Sequence, residues 1–145
     1  MNAPVLHATT IALWRDGAWR GVLLRGPSGA GKSSLALRAL QAGWRLVADD
    51  RTLVWTSGGR LYGRAPDTIR DLIEARGVGM VATGSLAWAE LVLAVDLSSD
   101  EPERMPEPAH GEFAGLSLPL IALRPHASEA TAKLALSVVE ALGAR

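Results

Sequence analysis

Gly26-Pro27-Ser28-Gly29-Ala30-Gly31-Lys32-Ser33 decides the fold. It fits G-x-x-x-x-G-K-[ST], the pattern of a phosphate-binding P-loop. Before it, Trp19-Arg20-Gly21-Val22-Leu23-Leu24-Arg25 reads as a buried strand. After it, Ser34 to Ala42 reads as a helix closed by Gly43. A glycine-rich turn that binds nothing is the plain alternative, and the strand before and helix after argue against it. Glycines let successive backbone N–H groups turn inward around phosphate oxygens, and the helix N-terminus adds its positive end. In this pattern Lys32 is the mobile charge for β- and γ-phosphates, and Ser33 offers a hydroxyl to Mg²⁺.

Working outward, Val5 to Trp14 is apolar and β-branched and reads as a strand containing His7. Asp16-Gly17 supplies a hairpin turn into the strand at Trp19. An opening hairpin is unusual for a doubly wound nucleotide fold and points to a less common P-loop architecture. Downstream, Arg45 to Asp50 is a strand ending in two carboxylates, 17 residues after Lys32. Adjacent strand residues face opposite sides, so Asp49 and Asp50 cannot share one task. One suits a general base for a hydroxyl nucleophile, the other Mg²⁺ or its water shell. The residues alone leave open which is which.

Thr52 to Trp55 continues as a strand, and Gly58-Gly59 turns it into Leu61-Tyr62-Gly63. Pro66 and Asp67 open a predicted short helix with Ile69, Leu72 and Ile73 as its apolar stripe. Glu74 then falls in the last turn, where the helix dipole disfavours a carboxylate, before Arg76-Gly77-Val78-Gly79. Met80 to Ala82 reads as a short strand. Leu91 to Asp96 is a stronger, nearly continuous apolar one, and its terminal Asp96 rivals Asp50 as a Mg²⁺ ligand. Ser98 to Glu112 holds three prolines and five acidic residues and reads as an exposed loop. Leu116 to Leu123 is a last strand, with Pro119 marking an edge or bulge. Ser128 is placed to N-cap a final helix reaching about Leu142, striped by Leu134, Val138, Ala141 and Leu142.

Composition sets the bounds. The 145 residues suit one domain, 1–145, with a real core. Hydrophobic residues make up 48% and charged ones 21%, and 15 basic residues balance 15 acidic ones. Nothing there points to nucleic acid or a membrane surface as partner. No cysteine is present, so disulfides and thiolate metal sites are excluded. The first ten residues lack the charge and apolar run of a signal peptide, and no apolar run is long enough to span a bilayer. The expectation is a cytoplasmic protein.

The motifs in order are Leu6-His7-Ala8, the G-P-S-G-A-G-K-S loop, Leu46-Val47-Ala48-Asp49-Asp50-Arg51, and Glu74-Ala75-Arg76-Gly77-Val78-Gly79. Together they resemble the catalytic domain of the HPr kinase/phosphorylase family, especially its short alphaproteobacterial form. That resemblance implies an α/β, atypical P-loop kinase fold akin to phosphoenolpyruvate carboxykinase, with a mixed sheet and flanking helices. It implies an ATP-dependent serine kinase of the phosphocarrier HPr, regulating the phosphotransferase system, and phosphorolysis in reverse. Gly26 to Ser33 would hold ATP, and Ser33 and Glu74 would bind Mg²⁺. Asp49 would be the acid–base residue, with His7 beside it. Arg104 would match the family's later active-site arginine, and long members are hexamers. Two departures stand out. Ser34 follows G-K-S where the family usually has an acid, and Arg124-Pro125-His126-Ala127-Ser128 keeps two residues of an R-P-G-R-N stretch tied to dephosphorylation. A kinase of a small hydroxylated metabolite and a non-catalytic ATP sensor, reporting through the 98–112 loop, are the rival readings.

Overall fold

The computed structural model describes residues 3–145. The opening strand is interrupted: β1 (Val5–Leu6) and β2 (Ala8–Arg15) are separated by a bend at His7, so His7 lies between strands rather than inside one. β2 pairs antiparallel with β3 (Ala18–Arg25) through a two-residue turn. Asp16 and Gly17 have φ of 51° and 79°, the left-handed pair that matches a hairpin's twist. After the P-loop comes α1 (Lys32–Gln41), whose buried Lys32, Leu35, Ala36 and Ala39 lie on one face. Its end is a Schellman cap: Trp44 N–H donates to Ala39 C=O and Gly43 N–H to Leu40 C=O, with Gly43 at φ 96°. Then follow β4 (Arg45–Ala48), β5 (Thr52–Ser57) and β6 (Arg60–Arg64).

The central strand is β9 (Ala89–Leu97), buried from Ala89 to Val95; the apolar run Leu91 to Val95 accounts for most of that burial, and Glu90 is a buried carboxylate at its start. β3 runs parallel along one side of it. On the other, β6 lies antiparallel at its start and β11 (Leu116–Leu123) parallel at its end. Pro119 sits one residue ahead of the stretch of β11 that pairs with β9, where β10 (Ala109–Phe113) is its partner. Strands β3, β4, β9 and β11 therefore point the same way, and their C-terminal ends share one edge of the mixed sheet. α1 and α2 (Ala130–Gly143) cover one face, where Leu35, Ala39, Leu134 and Val138 meet Val22, Leu24, Leu93 and Val95. On the opposite face Leu23 and Ala94 pack against Val54, Leu61, Phe113 and Leu118.

Three local expectations are corrected. The helix expected from Pro66 is a single 3₁₀ turn, Asp67–Ile69, and Glu74 lies in β7 (Leu72–Ala75), paired with β8 (Gly79–Ala82). Asp71 at φ 64° breaks the helical path, so no helix dipole acts on Glu74. The 98–112 segment is irregular only to residue 108; Ala109 to Phe113 form β10 on the edge of β11. Ser128 does not cap α2: Glu129 holds that position without a side-chain cap, and the Ser128 hydroxyl bonds the Glu129 carboxylate instead.

Candidate active site

Gly31, at φ 100°, is the residue before the first turn of α1 and provides no side-chain cap. No acidic residue occupies that turn either. The first N–H groups of α1 are thus left without a side-chain acceptor at the positive end of the dipole, which is the chemistry of an anion cradle. The buried Lys32 ammonium folds back over it. Nζ donates to the carbonyls of Gly26 at 2.6 Å and Pro27 at 3.3 Å, and lies 3.8 Å from Asp50 Oδ1. A triphosphate fits this loop, because phosphate oxygens can replace the carbonyls that the ammonium now uses.

Beyond the loop, at the end of β4, the two carboxylates part. Asp49 is buried and accepts three hydrogen bonds. The Ser33 hydroxyl donates at 2.7 Å and the Thr9 hydroxyl at 3.0 Å to Oδ1, and Glu74 N–H donates at 2.9 Å to Oδ2. Asp50 is half-exposed, and His7 Nε2 lies 2.7 Å from its Oδ1. The divergence comes from the backbone. Asp50 has φ of 65°, and Arg51 N–H donates across it to Asp49 C=O at 2.7 Å, forming a three-residue turn of the rare hand. Such strain persists where surroundings impose it. Here Asp50 N–H donates to Thr9 Oγ1 at 3.0 Å, so one threonine fixes both acids.

The structure brings together His7, Lys32, Ser33, Asp49, Asp50 and Glu74, the last through its backbone N–H. It pairs His7 with Asp50, not with Asp49 as expected. Arg104 lies exposed in the 98–108 segment and makes no hydrogen bond or ion pair with these residues among the described ones. Asp96, the rival Mg²⁺ ligand, is taken by Arg25, whose Nε and Nη2 reach its two oxygens at 2.8 and 3.2 Å. Among the described residues no three His, Cys, Asp or Glu side chains form a metal cluster. Mg²⁺ suits such a site, since it takes one or two carboxylates and completes its octahedron with phosphate oxygens and water. Ser33 and Asp49 are the adjacent oxygens that fit it. Thr9 went unnoticed in the sequence; its only signal was a Thr pair inside an apolar strand.

Residues 7–93 match the family model described as HPr Serine kinase C-terminal domain. The chain belongs to that family. The HPr kinase match begins at His7 and spans the loop, both aspartates and Glu74, and ends before Arg104. Among relatives, the HPr kinase/phosphorylase of Brevibacillus brevis is 42% identical over 95 residues, 60% of this chain and 30% of its own length. That of Streptococcus uberis is 37% identical over 114 residues, 70% of this chain and 37% of its own. The chain thus spans between 24% and 37% of the length of such curated relatives. The solved HPr(Ser) kinase/phosphatase of Coxiella burnetii superposes with a TM-score of 0.76 at 24% identity, covering 94% of this chain and 88% of that one, so the folds agree. No helix of the described residues is long and apolar enough to cross a membrane.

Proposed function

We propose that this chain is a cytoplasmic, Mg²⁺- and ATP-dependent protein kinase that phosphorylates a serine of an HPr-type phosphocarrier. The observation that carries the reading is the carboxylate–imidazole pair Asp50–His7 at the rim of a P-loop, 3.8 Å from the Lys32 ammonium. Asp50 is the base that takes the seryl proton. His7 orients that carboxylate, and the Lys32 ammonium stands beside it. This exchanges the roles of the two acids relative to the expectation from family resemblance. Asp49, buried and bound by Ser33, is the acid that faces Mg²⁺.

Bound Mg²⁺ would neutralise charge between the phosphate groups. The chain supplies the rest. Gly26 to Ser33 hold the triphosphate on backbone amides, Lys32 leaves its loop carbonyls for phosphate oxygens, and Asp50 positions the acceptor hydroxyl. In phosphoryl transfer such positioning and electrostatic stabilisation provide most of the rate. Half-exposure of Asp50 and His7 supports an acceptor that arrives from solvent on another protein. The test offers γ-labelled ATP and Mg²⁺ with either an HPr-type protein or free serine. Label on the protein alone supports the proposal; label on free serine alone, or on neither while ATP is bound, overturns it.

A further inference from the structure

We propose that His126 is a nucleotide-contacting residue whose imidazole donates a hydrogen bond to a phosphate oxygen of ATP held on Gly26 to Ser33. The inference rests on the kinase reading above and extends its site to the loop after β11. That loop leaves the sheet at the same edge as the P-loop, because β11 and β3 are both parallel to β9. It is packed directly on the cradle. A Cβ placed on Gly31 would stand 3.1 Å from Cβ and Cγ of Pro125 and 3.3 Å from Cε1 of His126. Pro125 is buried there, whereas His126 is exposed. The loop is also held to α1, since Arg38 Nη1 donates to Ala127 C=O at 3.4 Å.

The consequence is geometric. Cε1 lies between the two ring nitrogens, so a carbon this close to Gly31 puts an N–H at the rim of the cradle. Phosphates bind at the amides that follow Gly31. No side-chain hydrogen bond engages the His126 ring among the described residues, so the donor is available to an incoming anion. The buried Pro125 fixes where the imidazole stands, and the glycine at position 31 leaves it room. This assigns a task to the Arg124–Ser128 segment, which the catalytic reading otherwise leaves idle.

A hydrogen bond to a charged group is worth about tenfold or more in affinity. The experiment measures calorimetric binding of ATP and of inorganic pyrophosphate, each with Mg²⁺, to the wild type, His126→Ala and His126→Gln. Pyrophosphate carries only the phosphate chemistry, and Gln keeps an N–H donor of similar reach. The expected result is about tenfold weaker binding of both ligands by His126→Ala, and recovery to within about threefold of wild type by His126→Gln. Wild-type affinity in His126→Ala overturns the inference. So does a loss for ATP but not pyrophosphate, which would move the contact to the base or sugar. A Gln variant as weak as Ala overturns it too, because that is the signature of packing. If the wild type binds neither ligand, the kinase reading itself falls; the other failures leave that reading standing.

Discussion

Replacing each aspartate by asparagine separates the two acids by three independent readouts. Asp49 sits 5% exposed and accepts from Thr9, Ser33 and Glu74. An asparagine has one carbonyl oxygen for them and sets an NH₂ group against at least one donor. Leaving a buried donor unsatisfied costs about 1–3 kcal/mol. For a domain of this size each kcal/mol lowers Tm by roughly 2–5 °C, so Asp49→Asn should melt several degrees lower. Its ATP binding should also lose most of its Mg²⁺ dependence. Asp50→Asn places an amide in half-exposed surroundings, where water replaces lost partners, and Tm should hold. ATP should still bind, while transfer falls about 10²–10⁴-fold with the loss of general-base assistance. Thermal melts, calorimetric titration of ATP with and without Mg²⁺, and single-turnover transfer read all three quantities. An Asp50→Asn enzyme that transfers at the wild-type rate, with Asp49→Asn inactive at unchanged Tm, would refute the exchange of roles.

Other consequences follow from the same contacts. Gly31→Ala forces an L side chain to φ of 100° with its Cβ 3.1 Å from Pro125, so ATP binding should weaken at least tenfold by titration. Asp96→Asn should leave the Mg²⁺ dependence of ATP binding unchanged, because Arg25 already engages that carboxylate. Leu134→Ala empties a fully buried position between α2 and the sheet and should cost about 2–5 kcal/mol in urea unfolding. The Asp71 carboxyl is held below the ordinary carboxylate range, first by the Ser85 hydroxyl and then by Ser85 N–H. A depressed folded-state pKa gives stability present above the unfolded value and lost as pH falls through the folded one. The protection factor of the Ser85 amide, the free-chain exchange rate divided by its own at the same pH, should therefore fall on acidification below the ordinary carboxylate pKa, and Asp71→Asn should remove that acid-dependent step.

Much of the architecture was legible because local signals agreed with tertiary context. The P-loop is framed by an apolar run and an amphipathic helix with a glycine cap, and β9 announces its double burial by the apolar run Leu91 to Val95. What failed were short segments. Leu72-Ile73-Glu74-Ala75 is too brief for a period of 2 to be told from one of 3.6, and the left-handed Asp71 and the hairpin partner β8 decide it. β10 carries His110, Gly111 and Glu112, poor strand formers that pair only because β11 offers an edge. The structure brings His7, Lys32, Ser33, Asp49 and Asp50 together but wires them differently from the expectation. His7 and Asp50 are 43 residues apart, and their pairing depends on a positive φ at Asp50 that nothing in the sequence marks. The approach of Pro125 and His126 to Gly31 is likewise a product of strand order, invisible to local pattern.

The most direct test of the account is phosphoryl transfer to the carrier itself. The purified chain is incubated with Mg²⁺, γ-labelled ATP and the HPr-type protein of the same organism, either native or with its acceptor serine changed to alanine. Label on the native carrier and none on the alanine form is the expected result. Label on neither, with ATP still bound at the P-loop, would contradict it.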